Sequence, residues 1–520
     1  MPKRKLVKMV AIGVILSLLG VRQWWTAQSA SSHSMVSTQG ARIVQISGER
    51  GFTLGHLSFA PCELQQPNSA ATTAAFCAPF EVPENWDKPD SRTIALRLAL
   101  VRSADPMALR DPVVLLAGGP GQAATAAYPN VAAGFAPLLE HRNVLLLDQR
   151  GTGGSHPLKC KDIVGDDDAS AGHDIDLAKV RERTRACLDA VSRDADPAQY
   201  TTSVALRDLE ALRQALGAPQ FDLVGISYGT RVAQQYVRRY PDAVRSVVLD
   251  SAVPNELVLG SQFAIDLDAA LKAQFAECTR TPACAEAFGG PYASLYRLRD
   301  ALAAHAPNVA FRNPRSNAEE TKPLDAQTFA SVVRMFAYSS ETSALLPLAI
   351  DRALKGDYAP LLGQASLLSD ELGDLSDSGM QLSVICAEDA DLLTERPQDA
   401  HLLLGDTFAK VWRAQCAIWP RGSRPTDFHT PIVSDKPVLI LSGEFDPVTP
   451  PRYAEQIVKG LPNGRVLVAK GQGHSVMARG CFPKLVKTFV DTLDAKRLDA
   501  GCIADFGATP AFIGFNGAAP

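Results

Sequence analysis

Short apolar runs, each closed by a glycine-bearing turn, set the rhythm of the first half of this chain. Thr93-Ile94-Ala95-Leu96-Arg97-Leu98-Ala99-Leu100-Val101 is β-rich and partly alternating, and residues from about Ala41 to Arg102 read as strands. Pro112-Val113-Val114-Leu115-Leu116-Ala117 is continuously apolar, as suits a strand buried on both faces of a parallel sheet. It breaks into Gly118-Gly119-Pro120-Gly121-Gln122. Asn143-Val144-Leu145-Leu146-Leu147 repeats the pattern and ends at Asp148-Gln149-Arg150-Gly151-Thr152-Gly153-Gly154-Ser155. Leu206 to Leu216 is apolar on one helical face, with Gly217 as its stop. Phe221 to Val224 opens another strand, a helix follows from Thr230, and Val244 to Leu249 is a strand again. Alternation of this kind predicts a doubly wound α/β sheet.

From about Pro254 to Thr430 the strand rhythm disappears. Leu267–Glu277, Ala293–Ala304, Asp325–Tyr338 and Leu345–Lys355 have helical spacing between Pro- and Gly-bearing turns, which predicts a large helical lid over the sheet. The sheet resumes at Pro437-Val438-Leu439-Ile440-Leu441-Ser442 and again at Gly464-Arg465-Val466-Leu467-Val468-Ala469, with a closing helix over Cys481–Leu493. The expected division is therefore a leader (1–30), a core in two parts (41–254 and 431–503), the lid between them (255–430) and a tail (504–520).

Composition changes this picture at two points. The 46% hydrophobic and 21% charged residues are those of a globular protein, and 520 residues suffice for a large core plus an insertion. A net charge of −4 gives no basic footprint, so no nucleic-acid partner is expected. No P-loop, H-E-x-x-H or zinc-type Cys/His cluster occurs, so neither a metal nor a cofactor is expected. The N-terminus adds the first new element. Lys3, Arg4, Lys5 and Lys8 precede an apolar run from Met9 to Val21, the layout of a signal peptide, with Ala27-Gln28-Ser29 as a small-x-small cleavage site. Trp24 and Trp25 would equally suit a membrane interface beside an uncleaved anchor, and that leader is the one membrane contact expected. Ten cysteines add the second. Their even number and local grouping suggest neighbour pairs 62–77, 160–187, 278–284, 386–416 and 481–502, drawn from Cys62, Cys77, Cys160, Cys187, Cys278, Cys284, Cys386, Cys416, Cys481 and Cys502. Buried reduced thiols are the alternative. Leader and cysteines together predict export, to the periplasm or beyond it.

The candidate chemistry lies where the apolar runs end. Gly225-Ile226-Ser227-Tyr228-Gly229 has the G-x-S-x-G spacing of a nucleophile elbow between strand and helix. There the serine hydroxyl stands clear of a strained turn, and a Cβ at either glycine would collide with the chain. A serine needs a base, and the base needs a carboxylate to fix its tautomer. Asp446 follows one late strand and His474 lies in a Gly-rich loop after the next, so Ser227, Asp446 and His474 have the chain order of an α/β-hydrolase triad. The backbone N–H of Tyr228 and those of Gly118 and Gly119 are the expected oxyanion donors.

Ala117-Gly118-Gly119-Pro120-Gly121, the 148–155 loop, Gly225–Thr230, Asp446-Pro447-Val448-Thr449-Pro450 and Gly473-His474 together resemble the serine aminopeptidase family of α/β-hydrolases, the prolyl iminopeptidase and tripeptidyl aminopeptidase group. Tyr200-Thr201-Thr202 before Asp208-Leu209-Glu210-Ala211-Leu212-Arg213, and the closing segment with its cysteines, are similar to the exported tripeptidyl aminopeptidase branch. The resemblance spans about residues 60–503. It implies a peptide substrate cleaved near its free N-terminus through an acyl-enzyme, with lid carboxylates holding the ammonium. Glu388, in Ile385-Cys386-Ala387-Glu388-Asp389, is the candidate and Asp389 the second; a solvated acidic turn is the competing reading. Ala117 stands where family members often carry His, which leaves the backbone donors untouched but weakens a transfer of prolyl specificity. Arg150 is expected to organise its loop by ion pairing. Two rivals remain. One is a carboxylesterase using the same triad on neutral esters, and the other is a catalytically silent binding module on the same scaffold.

Overall fold

The computed structural model describes residues 43–45 and 51–518, apart from 66–71, 89, 106, 109–110, 161–174, 376 and 515. The predicted leader lies outside the described residues. The strands are β1 (Ile43–Gln45), β2 (Phe52–Leu54), β3 (Leu57–Gln65), β4 (Thr72–Pro83), β5 (Thr93–Val101), β6 (Val113–Leu116), β7 (Val144–Leu147), β8 (Phe221–Ile226), β9 (Val244–Asp250), β10 (Asn308–Arg312), β11 (Glu319–Pro323), β12 (Val438–Gly443) and β13 (Gly464–Ala469). All but β10 and β11 form one 11-stranded sheet in the order β1-β2-β3-β4-β5-β7-β6-β8-β9-β12-β13. From β7 to β13 the neighbours run parallel. The strands before β6 extend the sheet as an antiparallel ribbon joined to β7.

The continuous apolar runs follow from burial on both faces. Phe221 and Leu223 of β8, Val247 and Leu249 of β9 and Ile440 of β12 enter one core. That core is covered by the helices Leu177–Val191, Thr202–Leu216 and Tyr228–Arg239. Val224, Val248, Leu439 and Leu441 point the other way, under the helices Ala124–Phe135 and Phe482–Thr492. Both sides exclude water, so no polar alternation can show in the sequence. Gly217 ends the helix Thr202–Leu216 in the left-handed conformation (φ 62°), as its position predicts. Arg150, fully buried, forms a two-pronged pair with Asp208 at 2.6 and 2.7 Å and donates to the carbonyls of Pro83, Glu84 and Gln199. It thereby fixes the 148–155 loop to the N-terminal ribbon and the helix Thr202–Leu216.

Between β9 and β12 lies the insert. Its helices Phe263–Arg280, Pro291–Ala304, Ala326–Phe336 and Leu346–Leu354 match the predicted ones. Ala359–Leu375, Ser378–Glu388 and Thr407–Cys416 are additional. Where only helices were expected, β10 and β11 form a small antiparallel hairpin. Phe311 is its one fully buried residue, so it carries no apolar alternation to read. The insert also divides physically. Its first part encloses a core of its own around Leu271, Leu298, Phe329, Val333 and Ile350. The helices Ser378–Glu388 and Thr407–Cys416 instead join the main core through Met380, Ile385, Val411 and Trp412. All ten cysteines pair as the spacing suggested, with Cα–Cα separations from 5.1 to 6.5 Å. Among the described residues no helix is long and apolar enough to cross a membrane.

Candidate active site

Parallel pairing brings the C-terminal ends of β6, β8, β9, β12 and β13 to one edge, and the candidate residues sit just beyond them. Ser227 follows β8 in a strained conformation, φ 55° and ψ −122°, and opens the helix Tyr228–Arg239. The turn is as tight as the flanking glycines require. A Cβ on Gly225 would lie 2.5 Å from the Gly229 carbonyl oxygen, and one on Gly229 would lie 2.0 Å from that of Leu116. Ser227 N–H donates to the Asp250 carbonyl at 2.9 Å, and its hydroxyl makes no hydrogen bond among the described residues.

Asp446 lies in the loop after β12, fully enclosed. Its carboxylate accepts the N–H groups of Val448 and Thr449 at 2.9 and 2.8 Å, the Thr449 hydroxyl at 2.7 Å, and His474 Nδ1 at 2.8 Å. Burial alone would raise its pKa. The His474 charge and these donors overcome burial and hold the carboxyl down at about 2. Burial depresses the imidazole in turn, and Asp446 outweighs it, so the His474 pKa lies above its ordinary value. With Nδ1–H directed at Asp446, the Nε2 lone pair is left for a proton from outside.

Asp250 ties the two halves together. It ends β9 opposite Ile226 in the β8 register, so its main-chain carbonyl reaches Ser227. Its buried side chain accepts the Ser475 hydroxyl at 2.8 Å and the N–H groups of Val476 and Met477 at 2.9 and 3.0 Å. Ser475 N–H also donates to the Ser251 hydroxyl at 2.8 Å. One residue thus fixes the serine's backbone and the loop that carries the imidazole. The apolar pattern predicts its strand only to Leu249, whereas β9 runs on to Asp250. The signal available was a charged residue ending an apolar strand in a sheet whose other strand ends carry the chemistry.

The oxyanion candidates are in place as backbone. Tyr228 N–H is in the first turn of its helix, where donors lack intrahelical partners. Gly118 is buried against the serine, and a Cβ there would meet Ser227 Cβ at 3.3 Å. The Gly-rich loop is held from the insert: Asp377 N–H donates to the Gly121 carbonyl at 2.9 Å, and the Asp377 carboxylate accepts Gly153 N–H at 2.7 Å. Asp148 braces the same region through Thr125 and Gly154.

Glu388 and Asp389 occupy a different setting. Both are fully buried at the end of the helix Ser378–Glu388. Asp389 is ion-paired through one oxygen to the equally buried Arg231 at 2.8 Å, and its other oxygen has no hydrogen-bond partner among the described residues. Glu388 accepts Thr202 N–H at 2.8 Å on one oxygen, and its other oxygen has no partner among the described residues. Burial is the main cause that pushes its pKa up to about 7, with Asp389 adding to it and Arg231 working against it. The Thr202 hydroxyl meets the Tyr228 hydroxyl at 2.5 Å, so the acidic pair is one contact from the residue beside the serine. The solvated acidic turn of the competing reading is not what is found. Among the described residues no group of His, Cys, Asp and Glu is placed to hold a metal ion.

Residues 111–479 match the family model described as alpha/beta hydrolase fold. The chain is 25% identical over 472 residues to the serine protease Hip1 of Mycobacterium tuberculosis, covering 84% of this chain and 88% of that one. It is 26% identical over 461 residues to the tripeptidyl aminopeptidase of Streptomyces lividans, covering 82% and 83%. Among solved structures it is similar to the proline iminopeptidase of Mycobacterium smegmatis, at 18% identity and a TM-score of 0.38, over 80% of this chain and 98% of that one.

Proposed function

Since the chain belongs to the alpha/beta hydrolase fold family and is a serine hydrolase, we propose that it is an exported exopeptidase. On this reading it cleaves peptides near a free N-terminus, with Ser227, His474 and Asp446 as its catalytic residues. The observation that carries the proposal is the 2.8 Å bond from His474 Nδ1 to Asp446, made at the same strand edge at which β8, separated from β12 by β9, ends in Ser227.

On this reading the reaction is an acyl transfer in two halves. His474 Nε2 takes the Ser227 proton as Oγ attacks the scissile carbonyl, and Asp446 stabilises the imidazolium that forms. The oxyanion is met by the N–H of Tyr228 with those of Gly118 and Gly119. His474 then gives its proton to the departing amine, leaving an acyl-enzyme. Water attacks this ester with His474 as base, which regenerates the serine. The substrate's ammonium is assigned to Glu388, whose second oxygen lacks a partner, while Arg231 holds Asp389 beside it. Since Glu388 is enclosed, the ammonium reaches it only when the elements packed around it move. Five disulfides among the described residues suit an oxidising compartment, which supports export.

The test compares a peptide of free N-terminus with its N-acetylated form, reading the products by mass spectrometry. The peptidase loses the blocked peptide by at least tenfold in kcat/KM, the loss of about 1.4 kcal/mol of ammonium binding. Equal cleavage of both defeats the exopeptidase reading, and turnover of neutral esters alone leaves a carboxylesterase.

A further inference from the structure

Arg334 lies near the end of the helix Ala326–Phe336, and its guanidinium is surrounded by aromatic faces. Its central carbon is 4.7 Å from the ring centre of Phe408, 4.9 Å from that of Phe263 and 5.8 Å from that of Tyr338. Phe263, Phe408 and Trp412 pack edge to face on one another, which makes this wall a rigid one. Nη2 donates to the Tyr338 hydroxyl at 3.3 Å, and among the described residues Arg334 has no carboxylate partner. That sets it apart from the arginines that brace the fold: Arg150 has Asp208, Arg231 has Asp389, and Arg142 has Asp111. Ring faces stabilise the cation but accept few of its five N–H groups. A guanidinium held by its faces with its donor edge unspent is suited to a carboxylate, which it can bind with two parallel hydrogen bonds.

Its place in the site says which carboxylate. Tyr338, one turn further along, accepts His474 N–H on its carbonyl at 2.7 Å and sets its ring edge-on to the imidazole at 5.1 Å. Arg334, Tyr338 and His474 therefore form one contiguous line. Consistent with this, the Arg334 charge opposes protonation of His474, after burial itself and against the pull of Asp446 and Asp250. The imidazole is the group that protonates the departing amine, so the leaving part of the substrate passes on its side of the serine.

We infer that Arg334 is a substrate-binding residue that takes a carboxylate on the leaving side of the scissile bond. The carboxylate belongs either to the free C-terminus of a short peptide or to an Asp or Glu side chain. The inference rests on the peptidase reading and deepens it. With Glu388 receiving the ammonium and Arg334 the carboxylate, the C-terminal source would make the enzyme a gauge of peptide length.

The experiment uses the full chain and one N-terminal sequence followed by leaving segments of one to four residues. Each is supplied as the free acid, as the C-terminal amide, and as the amide with one Asp in the leaving segment. For the parent enzyme the better carboxylate-bearing form is expected to exceed the plain amide by about tenfold in kcat/KM, mostly through KM, the effect of about 1.4 kcal/mol. A preference for the free acid at one length assigns the C-terminus; a preference for the Asp amide assigns the side chain. Arg334→Gln is expected to bring the ratio to about one, and Arg334→Lys to restore part of it. A ratio near one in the parent enzyme, which needs no variant to fold, overturns the inference while leaving the peptidase reading intact. A ratio unchanged in Arg334→Gln overturns it equally. An enzyme that cleaves none of these peptides overturns the peptidase reading and this inference with it.

Discussion

The strand edge and the insert hold their charged groups in opposite ways. At the edge, Asp446 is buried yet fully bonded, by two N–H groups, a hydroxyl and the imidazole, and its carboxyl sits at about 2. In the insert, Glu388 is buried yet half bonded, with one oxygen unmatched, and its carboxyl sits at about 7. Both are carboxylates removed from water. The difference lies in donors: a satisfied buried charge is locked, whereas an unsatisfied one is poised for a proton or a cation. We read the first as machinery that must not move during turnover and the second as a place reserved for substrate.

Removing groups from the edge should have the largest effects. Ser227→Ala is expected to lower kcat on the order of 10⁶-fold and to abolish labelling by a fluorophosphonate, with the fold unchanged by circular dichroism. Asp446→Asn should cost about 10⁴-fold in kcat, because the imidazole loses its orienting acceptor. The pH profile supplies a separate readout. The base must be neutral, so in the parent enzyme kcat/KM should fall on acidification at a pH above 6.5, since the His474 pKa is raised. In Asp446→Asn burial is no longer offset, and that limb should move to lower pH. A limb that stays in place would remove the special standing of Asp446 and with it the contrast.

Asp250→Asn should come next, at roughly 10- to 100-fold, since misplacing His474 by about 1 Å is sufficient. The amide that replaces one carboxylate oxygen would face donors, so the 475–477 loop should loosen while the acid limb shifts down less than in Asp446→Asn. Hydrogen exchange over that loop checks the positioning role. A loss with no change in loop protection would contradict it.

Glu388→Gln should have the smallest effect and separates the two regions most directly. It should raise KM about tenfold for peptides with a free N-terminus and spare N-acetylated ones. Stability should move the other way. The folded pKa of about 7 exceeds the ordinary 4.5, so the parent loses stability as pH rises through that window, and above it carries a charge burial disfavours. The variant should therefore melt higher than the parent at pH 8 and gain little at pH 4. A lower melting temperature at pH 8 would show that Glu388 supports the fold rather than awaiting substrate.

How much of this was legible in the sequence follows the same division. β8 and β12 were readable because a strand buried on both faces is apolar over most of its length, and because the tight turn after β8 admits only glycine beside Leu116 and Gly229. Those local demands fixed Ser227, Asp446 and His474 at strand ends, and local cysteine spacing matched all five pairs. What the tertiary structure alone decided depends on partners far away along the chain. Asp389 is committed to Arg231 across 158 positions, Asp250 grips a loop 225 positions later, and Arg334 lacks the carboxylate its buried counterparts have. In the sequence each of these is simply one charged residue among many. Sterics and burial act over a few residues and leave a pattern behind, whereas the state of a charge is set by whichever donors folding brings to it.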